Sequence, residues 1–321
     1  MKKKFEINDV LIFFKENPYQ SKYRRKEQDS LSSYIKEIRN DGSFKIIRLK
    51  NKSEEGYKLG EGASGHVKKT ESEGKETCVK INAEYNKNLS EKEAKINLDM
   101  GIGIGPLIII RNKNVTKTYQ EMKNMGLSLE SQLNNLSCSD KIEILPNLIL
   151  TVYDMHAGVT SLTKTKYKHG DLYVGNILMD KDKNFHIIDF STSDIAIEEN
   201  FEQDNFHLLN MIFCPTNYRK KTIFNQEDLE NFQKSIKDFF FLNKNEHKDL
   251  KSNQFLLFLA ALFIILHEDN KFDNLDDLKN DINQQKNIVE KYRRNKFFNK
   301  KLNDNKDEIK NFFDTDKLAP L

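Results

Sequence analysis

One stretch constrains this chain more than any other. Lys168-His169-Gly170-Asp171-Leu172-Tyr173-Val174-Gly175-Asn176-Ile177-Leu178 is followed shortly by Ile187-Ile188-Asp189-Phe190-Ser191. Asn176 comes five residues after Asp171, and Asp189 thirteen residues after that, each with an apolar neighbour. This layout suits phosphoryl transfer, in which the first carboxylate orients a hydroxyl and the other two side chains hold magnesium against phosphate groups. The rest of the chain must then supply the parts that bind a nucleotide.

Strand-like segments precede this stretch and helix-like segments surround and follow it. Before residue 56, Val10-Leu11-Ile12-Phe13-Phe14 and the basic cluster Lys22-Tyr23-Arg24-Arg25-Lys26 read as one or two helices. Asn40-Asp41-Gly42 turns into a strand at Phe44 to Leu49. Tyr57 to Leu59, His66 to Lys69 and Thr77 to Ile81 make three antiparallel strands, with glycines in the first turn. Ser90 reads as an N-cap and Glu91 to Met100 as a helix, ended by Gly101 to Pro106. Leu107 to Ile110 and Thr116 to Met122 pair as strands. Beyond Gly126, helices are expected at Ser128 to Leu136 and Asp140 to His156. More follow from Asp204 to Ile309, with breaks near Pro215 and Asn270. Strands first and helices second is an α+β arrangement with two lobes.

Composition narrows the classes. A chain of 321 residues can form one large domain or two lobes sharing a site. Its 31% of charged residues balance to a net charge of +3, too small to imply nucleic acid as a partner. Cys78, Cys138 and Cys214 lie far apart with no CxxC pair, which argues against zinc and disulfides and fits a reducing, cytoplasmic compartment. No apolar run follows Lys2-Lys3-Lys4, so no secretory signal is read. The twelve apolar residues from Phe255 to Leu266 are too few for a transmembrane segment and read as a buried helix.

Two further pieces suit a nucleotide. Gly60-x-Gly62-x-x-Gly65-x-Val67 spans a strand, a turn and a strand, where glycines let backbone N–H groups approach phosphates. A plain hairpin turn fits the same glycines. A dinucleotide-binding reading would need a helix after Gly65, and Val67-Lys68-Lys69 does not read as one. Lys80, among Cys78, Val79 and Ile81, needs a partner, and Glu93 on the following helix would supply it. A strand-edge charge is the plainer alternative for Lys80, and Glu91 is the rival of Glu93. Glu93 is preferred because Glu93-Ala94-Lys95-Ile96 sits where the helix turns apolar.

Together, from about Tyr57 to about Phe213, these residues resemble the protein-kinase-like superfamily. The resemblance implies an α+β, two-lobed kinase-like fold. It would have an N-terminal extension (1–55), an ATP-binding N-lobe (56–125), a C-lobe catalytic core (126–215) and a helical C-terminal region (216–321). ATP and magnesium are the implied cofactors, with manganese as a substitute. Lys80 and Glu93 would anchor ATP, and Gly60, Gly62, Ser64, Gly65 and Val67 would cover it. Asp171 would orient the acceptor, Asn176 and Asp189 would hold metal, and His169 would pack beneath the loop. Glu93-Ala94-Lys95-Ile96, Gly101 to Pro106 and Met125-Gly126-Leu127-Ser128-Leu129-Glu130 are locally similar to casein kinase I. That register makes Met122 the gatekeeper and Lys123 to Met125 the hinge that meets adenine. His169-Gly170-Asp171-Leu172 looks instead like RIO-type kinases, compact bacterial effector kinases and aminoglycoside phosphotransferases.

The departures bear on the acceptor. Gly170 replaces the usual arginine, Tyr173 the usual lysine and Ser191 the last glycine of the Asp-Phe-Gly motif, and there is no Ala-Pro-Glu motif. Asp204 resembles the helix aspartate that braces the catalytic loop, and it follows Asp189 by only about fifteen residues, which leaves little room for a peptide platform. The leading expectation is an atypical protein Ser/Thr kinase of bacterial effector type. A small-molecule or lipid-headgroup kinase is second, and a pseudokinase scaffold or nucleotidyl transferase third. The Asn- and Lys-rich coding is associated with an intracellular bacterium or a protein it delivers into a host cell. Arg24 and Arg25, with Arg293, Arg294 and Lys296, form two basic clusters beside aromatic residues. They read either as solvated helix faces or as a site for anionic lipid or inositol phosphate at a membrane periphery.

Overall fold

The computed structural model describes residues 7–27, 30–39, 41–54, 56–62, 65–82, 86–112, 115–196, 201–213, 222–224, 253–269 and 281–304. The chain divides into two compact units. One comprises Met1–Gln132, Asp154–Glu199 and Asn217–Lys221, and the other Leu133–Tyr153, Asn200–Thr216 and Thr222–Leu321.

The first unit is mixed α/β, built on an antiparallel sheet of eight strands. These are β1 (Lys22–Glu27), β2 (Ser30–Ile38), β3 (Phe44–Leu49), β4 (Lys58–Gly62), β5 (Gly65–Ser72), β6 (Lys75–Asn82), β7 (Ile108–Asn112) and β8 (Val115–Met122). Their order is β1-β2-β3-β5-β6-β8-β7, with β4 paired to β5. The strands expected from Phe44 onwards all form. The basic cluster from Lys22 departs from its helical expectation and runs as β1, paired residue for residue with β2. Because β3 pairs with β5, the sheet continues without a break across residue 56.

Alternation along each strand separates two faces. On the inner face Ile35, Ile47 and Leu49 join Val79, Ile81 and Tyr119 in one buried cluster, with Ile108 and Ile110 against it. Strands from both ends of the order therefore share one core, so the sheet curls over its own inner face. The Lys22 Nζ of β1 closes the curl by donating to the Tyr119 hydroxyl of β8 at 2.8 Å. Deeper on this face, Lys45 lies 2.5 Å from Glu121 and 3.0 Å from Glu37, all three buried. On the outer face, Tyr34 and Ile46 pack with Val10 and Phe14 of α1 (Ile7–Glu16). Side chains pointing both ways from β2 and β3 are thus removed from water, at about 1.5–3 kcal/mol for each large apolar group.

Helix α2 (Lys87–Asp99) lies against the outer face of β6 and β8. Asn97 donates to the Gln120 side chain at 2.8 Å, and Gln120 donates back to the Ala94 carbonyl at 3.0 Å. The helix starts earlier than expected. Asn86, not Ser90, is its cap, accepting from the Leu89 N–H, while Ser90 donates its own N–H to the Asn86 carbonyl one turn inside. After β8 come β9 (Leu127–Ser128) and α3 (Leu129–Gln132), then a 3-10 turn at Leu133–Asn135, where one helix was expected. Two small sheets carry the motif stretch. One has the order β12-β11-β9, with β11 (Ile177–Met179) and β12 (Phe185–Ile187); the other pairs β10 (Tyr167–Lys168) with β13 (Asp194–Ile195).

The second unit is helical. It holds most of α4 (Cys138–His156), together with α5 (Glu202–Phe213), α6 (Asn253–Asp269) and α7 (Ile282–Asp304). Ser137 and Asp140 cap α4 reciprocally, each backbone N–H donating to the other's side chain. Helix α6 is buried at every position from Leu256 to Ile264, as expected for an apolar helix, and it packs against α7. Among the described residues no helix is long and apolar enough to cross a membrane. The breaks expected near Pro215 and Asn270, and Cys214, lie outside the described residues.

Candidate active site

The polar residues of the motif stretch are drawn together within the first unit. Lys80 alternates with Val79 and Ile81 on β6, so it projects from the outer face, toward α2. There it pairs with Glu93 of α2 and, at 2.8 Å, with Asp189. Lys80 and Glu93 are largely buried, while the Asp189 side chain keeps about a third of its surface. Glu93 is the partner; the rival Glu91 is not among the carboxylates paired with Lys80.

The electrostatics follow from one ammonium between two carboxylates. Burial opposes the charge on Lys80, but the Glu93 and Asp189 carboxylates outweigh it and raise the ammonium above the usual lysine range. Burial likewise opposes ionisation of Asp189, and Lys80 overcomes it, holding the carboxyl below the usual aspartate range. Burial raises the Glu93 carboxyl above the usual glutamate range, with Lys80 opposing the rise and Asp189 adding to it.

Backbone geometry sets the other members. His169 is fully buried; its Nδ1 accepts the Asp171 N–H at 3.2 Å and its Nε2 donates to the Ile188 carbonyl at 2.9 Å. The two bonds together select the Nε2–H tautomer. The Asn176 amide nitrogen donates to the Asp171 carbonyl at 2.9 Å, and the Ile188 N–H donates to the Asn176 carbonyl at 2.9 Å. Asp171, Asn176 and the residue before Asp189 are thus tied through one side-chain bond and one main-chain bond. Asp189 itself sits at φ 65°, a left-handed conformation that its surroundings must hold in place. Phe190 anchors it from below, fully buried with its ring 5.3 Å from that of His169.

No protein-family profile and no curated protein sequence matches this chain.

The glycines have distinct reasons. A side chain at Gly65 would meet the Ile81 carbonyl at 2.1 Å, so close packing of β5 on β6 requires glycine there. Gly60 faces open space, and Gly62 pairs with Gly65 across the turn. Val67 lies in register with Lys80 on the same face. Ser64 lies outside the described residues. Met122 is buried, Lys123 is exposed with its N–H donating to the Ile102 carbonyl at 2.9 Å, and Met125 is half-buried. The Cys78 thiol approaches the Lys123 carbonyl at 3.4 Å, and burial pushes its pKa up to about 12, so it is an inert packing group.

Tyr173 stands beside the site. Its ring packs where a side chain on Gly175 would lie, 2.4 Å from that position. Burial first, then the charges of Asp171, Asp189 and Glu130, raise its phenol above the usual range. Asp204 is buried in the first turn of α5. Of the basic clusters, Arg24 is exposed on β1, and the Arg25 side chain lies outside the described residues. Arg293, Arg294 and Lys296 fall on α7 of the second unit, where Arg294 pairs with Glu290 at 3.1 Å. The strand placement of Arg24 and Arg25 corrects the helix-face reading for that cluster.

Sequence reasoning missed Asp99. At the end of α2 its carboxylate accepts from Ser161 at 2.6 Å, from the Thr163 hydroxyl and N–H at 2.9 Å, and from Tyr167 at 2.9 Å. Burial, then the Asp99 hydrogen bond and charge, push the Tyr167 phenol up to about 12. This hub ties the helix that carries Glu93 to the segment entering β10 and the motif. Nothing local marks it, because its partners lie more than sixty residues away.

Among the described residues no group of three or more His, Cys, Asp or Glu stands in metal-holding geometry. A divalent ion here would rest on Asn176 and Asp189, with phosphate and water completing its shell, the usual arrangement for magnesium. The donor types fit: the Asn176 amide nitrogen is committed to Asp171, which would leave its oxygen as the ligand.

Proposed function

We propose that this protein is an ATP- and magnesium-dependent phosphotransferase that moves the γ-phosphate of ATP to a hydroxyl. The observation that carries the reading is the triad of Lys80, Glu93 and Asp189, joined to Asp171 and Asn176 through the motif stretch. In this reading Lys80, held by Glu93, turns from Asp189 to the α- and β-phosphates. Asn176 and Asp189 would hold the metal, which would supply positive charge against the phosphate charge. Asp171, fixed by the bonds of its own main chain to His169 and Asn176, orients the acceptor hydroxyl and takes its proton. Positioning and electrostatics carry such a reaction, with no covalent enzyme intermediate needed.

A protein serine or threonine is the first acceptor class. A small-molecule or lipid-headgroup hydroxyl is the second, favoured by the Tyr173 ring, which supplies bulk and no cation beside Asp171. Incubation with γ-labelled and α-labelled ATP separates the possibilities. Label from γ on protein supports a protein kinase, and label from γ in a soluble product supports a small-molecule kinase. Label from α on protein points to nucleotidyl transfer and overturns the proposal. Asp171→Ala and Asp189→Ala should each reduce γ transfer by about a thousandfold or more while leaving the far-ultraviolet circular dichroism unchanged. Transfer retained in both variants would refute the assignment.

A further inference from the structure

The inner face of the curled sheet gathers cations at one end. Register and alternation place Lys22 and Arg24 of β1, His66 and Lys68 of β5 and Lys117 of β8 on that face, in line with Ile35, Leu49, Val79 and Tyr119. Strands β1 and β8 are far apart in the strand order, so only the curl brings these residues together. Lys22 marks the closure, with its Nζ bonded to the Tyr119 hydroxyl and 4.9 Å from the centre of that ring. Lys68 lies 5.6 Å from the Tyr57 ring.

Counter-charge is missing among the described residues. Among the described residues Lys22, Arg24, Lys68 and Lys117 form no salt bridge with a carboxylate. Glu61, which faces His66 across the β4–β5 pair, is engaged by Lys58. Burial and then the charges of Arg24, Lys117 and Lys68 depress the Lys22 ammonium to about 8. Lys68 and His66 are lowered in the same way, by burial first and by neighbouring cations second. Like charges held together without a partner lower stability, and a bound anion offsets that cost.

We propose that this inner face is a second anion site, separate from the Lys80 site, that takes a compact soluble ligand bearing clustered phosphate groups. It is separate because Lys80 and Val67 project from the opposite face of the same strands. The half-buried positions of Lys22, Lys68 and Lys117 favour a small ligand that enters the curl over a headgroup held at a bilayer. Four side chains from three strands offer both point charges and a guanidinium fork, a combination matched to phosphate oxygens. A ligand here would also brace β5, the strand that presents Val67 behind Lys80 on the other side.

The test uses the full chain without nucleotide or divalent metal, with tripolyphosphate as probe. Thermal melting and isothermal titration are read for the wild type, Lys68→Gln/Lys117→Gln, Lys117→Gln alone and Lys80→Met. Tripolyphosphate should raise the melting temperature of the wild type and of Lys80→Met alike. The double variant should melt above the wild type without ligand, because repulsion is relieved, and bind tripolyphosphate on the order of tenfold more weakly. The single variant, which changes one half-buried side chain, should fall between. An undiminished response in the double variant, or a response lost in Lys80→Met, would overturn the proposal. Sedimentation with phosphatidylcholine vesicles containing phosphatidylinositol 4,5-bisphosphate separates the sources. Vesicle binding without any response to tripolyphosphate would overturn the soluble-ligand assignment.

Discussion

At Gly170 the backbone runs at φ 81°, and a side chain there would lie 3.1 Å from the Thr192 carbonyl. Only glycine adopts this conformation without strain, so a side chain here is costly. Gly170→Arg should lower stability by about 1–2 kcal/mol, read as a lower urea midpoint with an unchanged slope. Gly170→Asn should cost less, because asparagine tolerates the left-handed region. The motif alone marked Gly170 only as a departure, and the backbone shows why glycine suits this position. Asp189 shows the reverse case. Its identity was legible from spacing, but its left-handed φ of 65° and its bond to Lys80 were not, since both depend on what lies beneath and across from it.

Among elements, α2 carries Glu93 and is held from its middle to its C-terminus. Gln120 and Asn97 hold it to the sheet, and Asp99 and Lys92 hold it to the segments around the motif, Lys92 at 2.5 Å from Asp194. Asp99→Ala would leave Ser161, Thr163 and Tyr167 without their shared acceptor. A loss of about 1–3 kcal/mol is expected, measured by urea denaturation. Asp99→Asn keeps one carbonyl oxygen and should recover part of it. The helix was legible from its apolar spacing, yet its cap was misplaced by one turn, because Ser90 and Asn86 are both acceptable caps by composition. The strands from Phe44 onward were legible because alternation faces a core on one side. Strands β1 and β2 were not, because both of their faces are used and the apolar period is blurred by basic residues.

For the whole first unit, a buried charge cluster that the linear chain gives no hint of joins β2, β3 and β8 inside the curl. Lys45 pairs with both Glu37 of β2 and Glu121 of β8, and Glu121 also accepts from Thr77 at 2.8 Å. Lys45→Met would strand two buried carboxylates and should destabilise the protein by about 3–5 kcal/mol, as a shift in the denaturation midpoint. Replacing all three with apolar residues of similar size should cost far less, because no buried charge is then left unpaired. By itself the sequence determined the strands from Phe44 onward, the buried α6 and the pairing of Lys80 with Glu93. These are local signals, carried by spacing and by apolar neighbours. The tertiary structure alone decided that residues before 56 extend the sheet, that Asp99 braces α2, and that Lys22, Lys68 and Lys117 meet inside the curl. Those outcomes rest on contacts between strands and helices remote in the chain, and a linear pattern of charges does not say which of them the folded sheet will bring face to face.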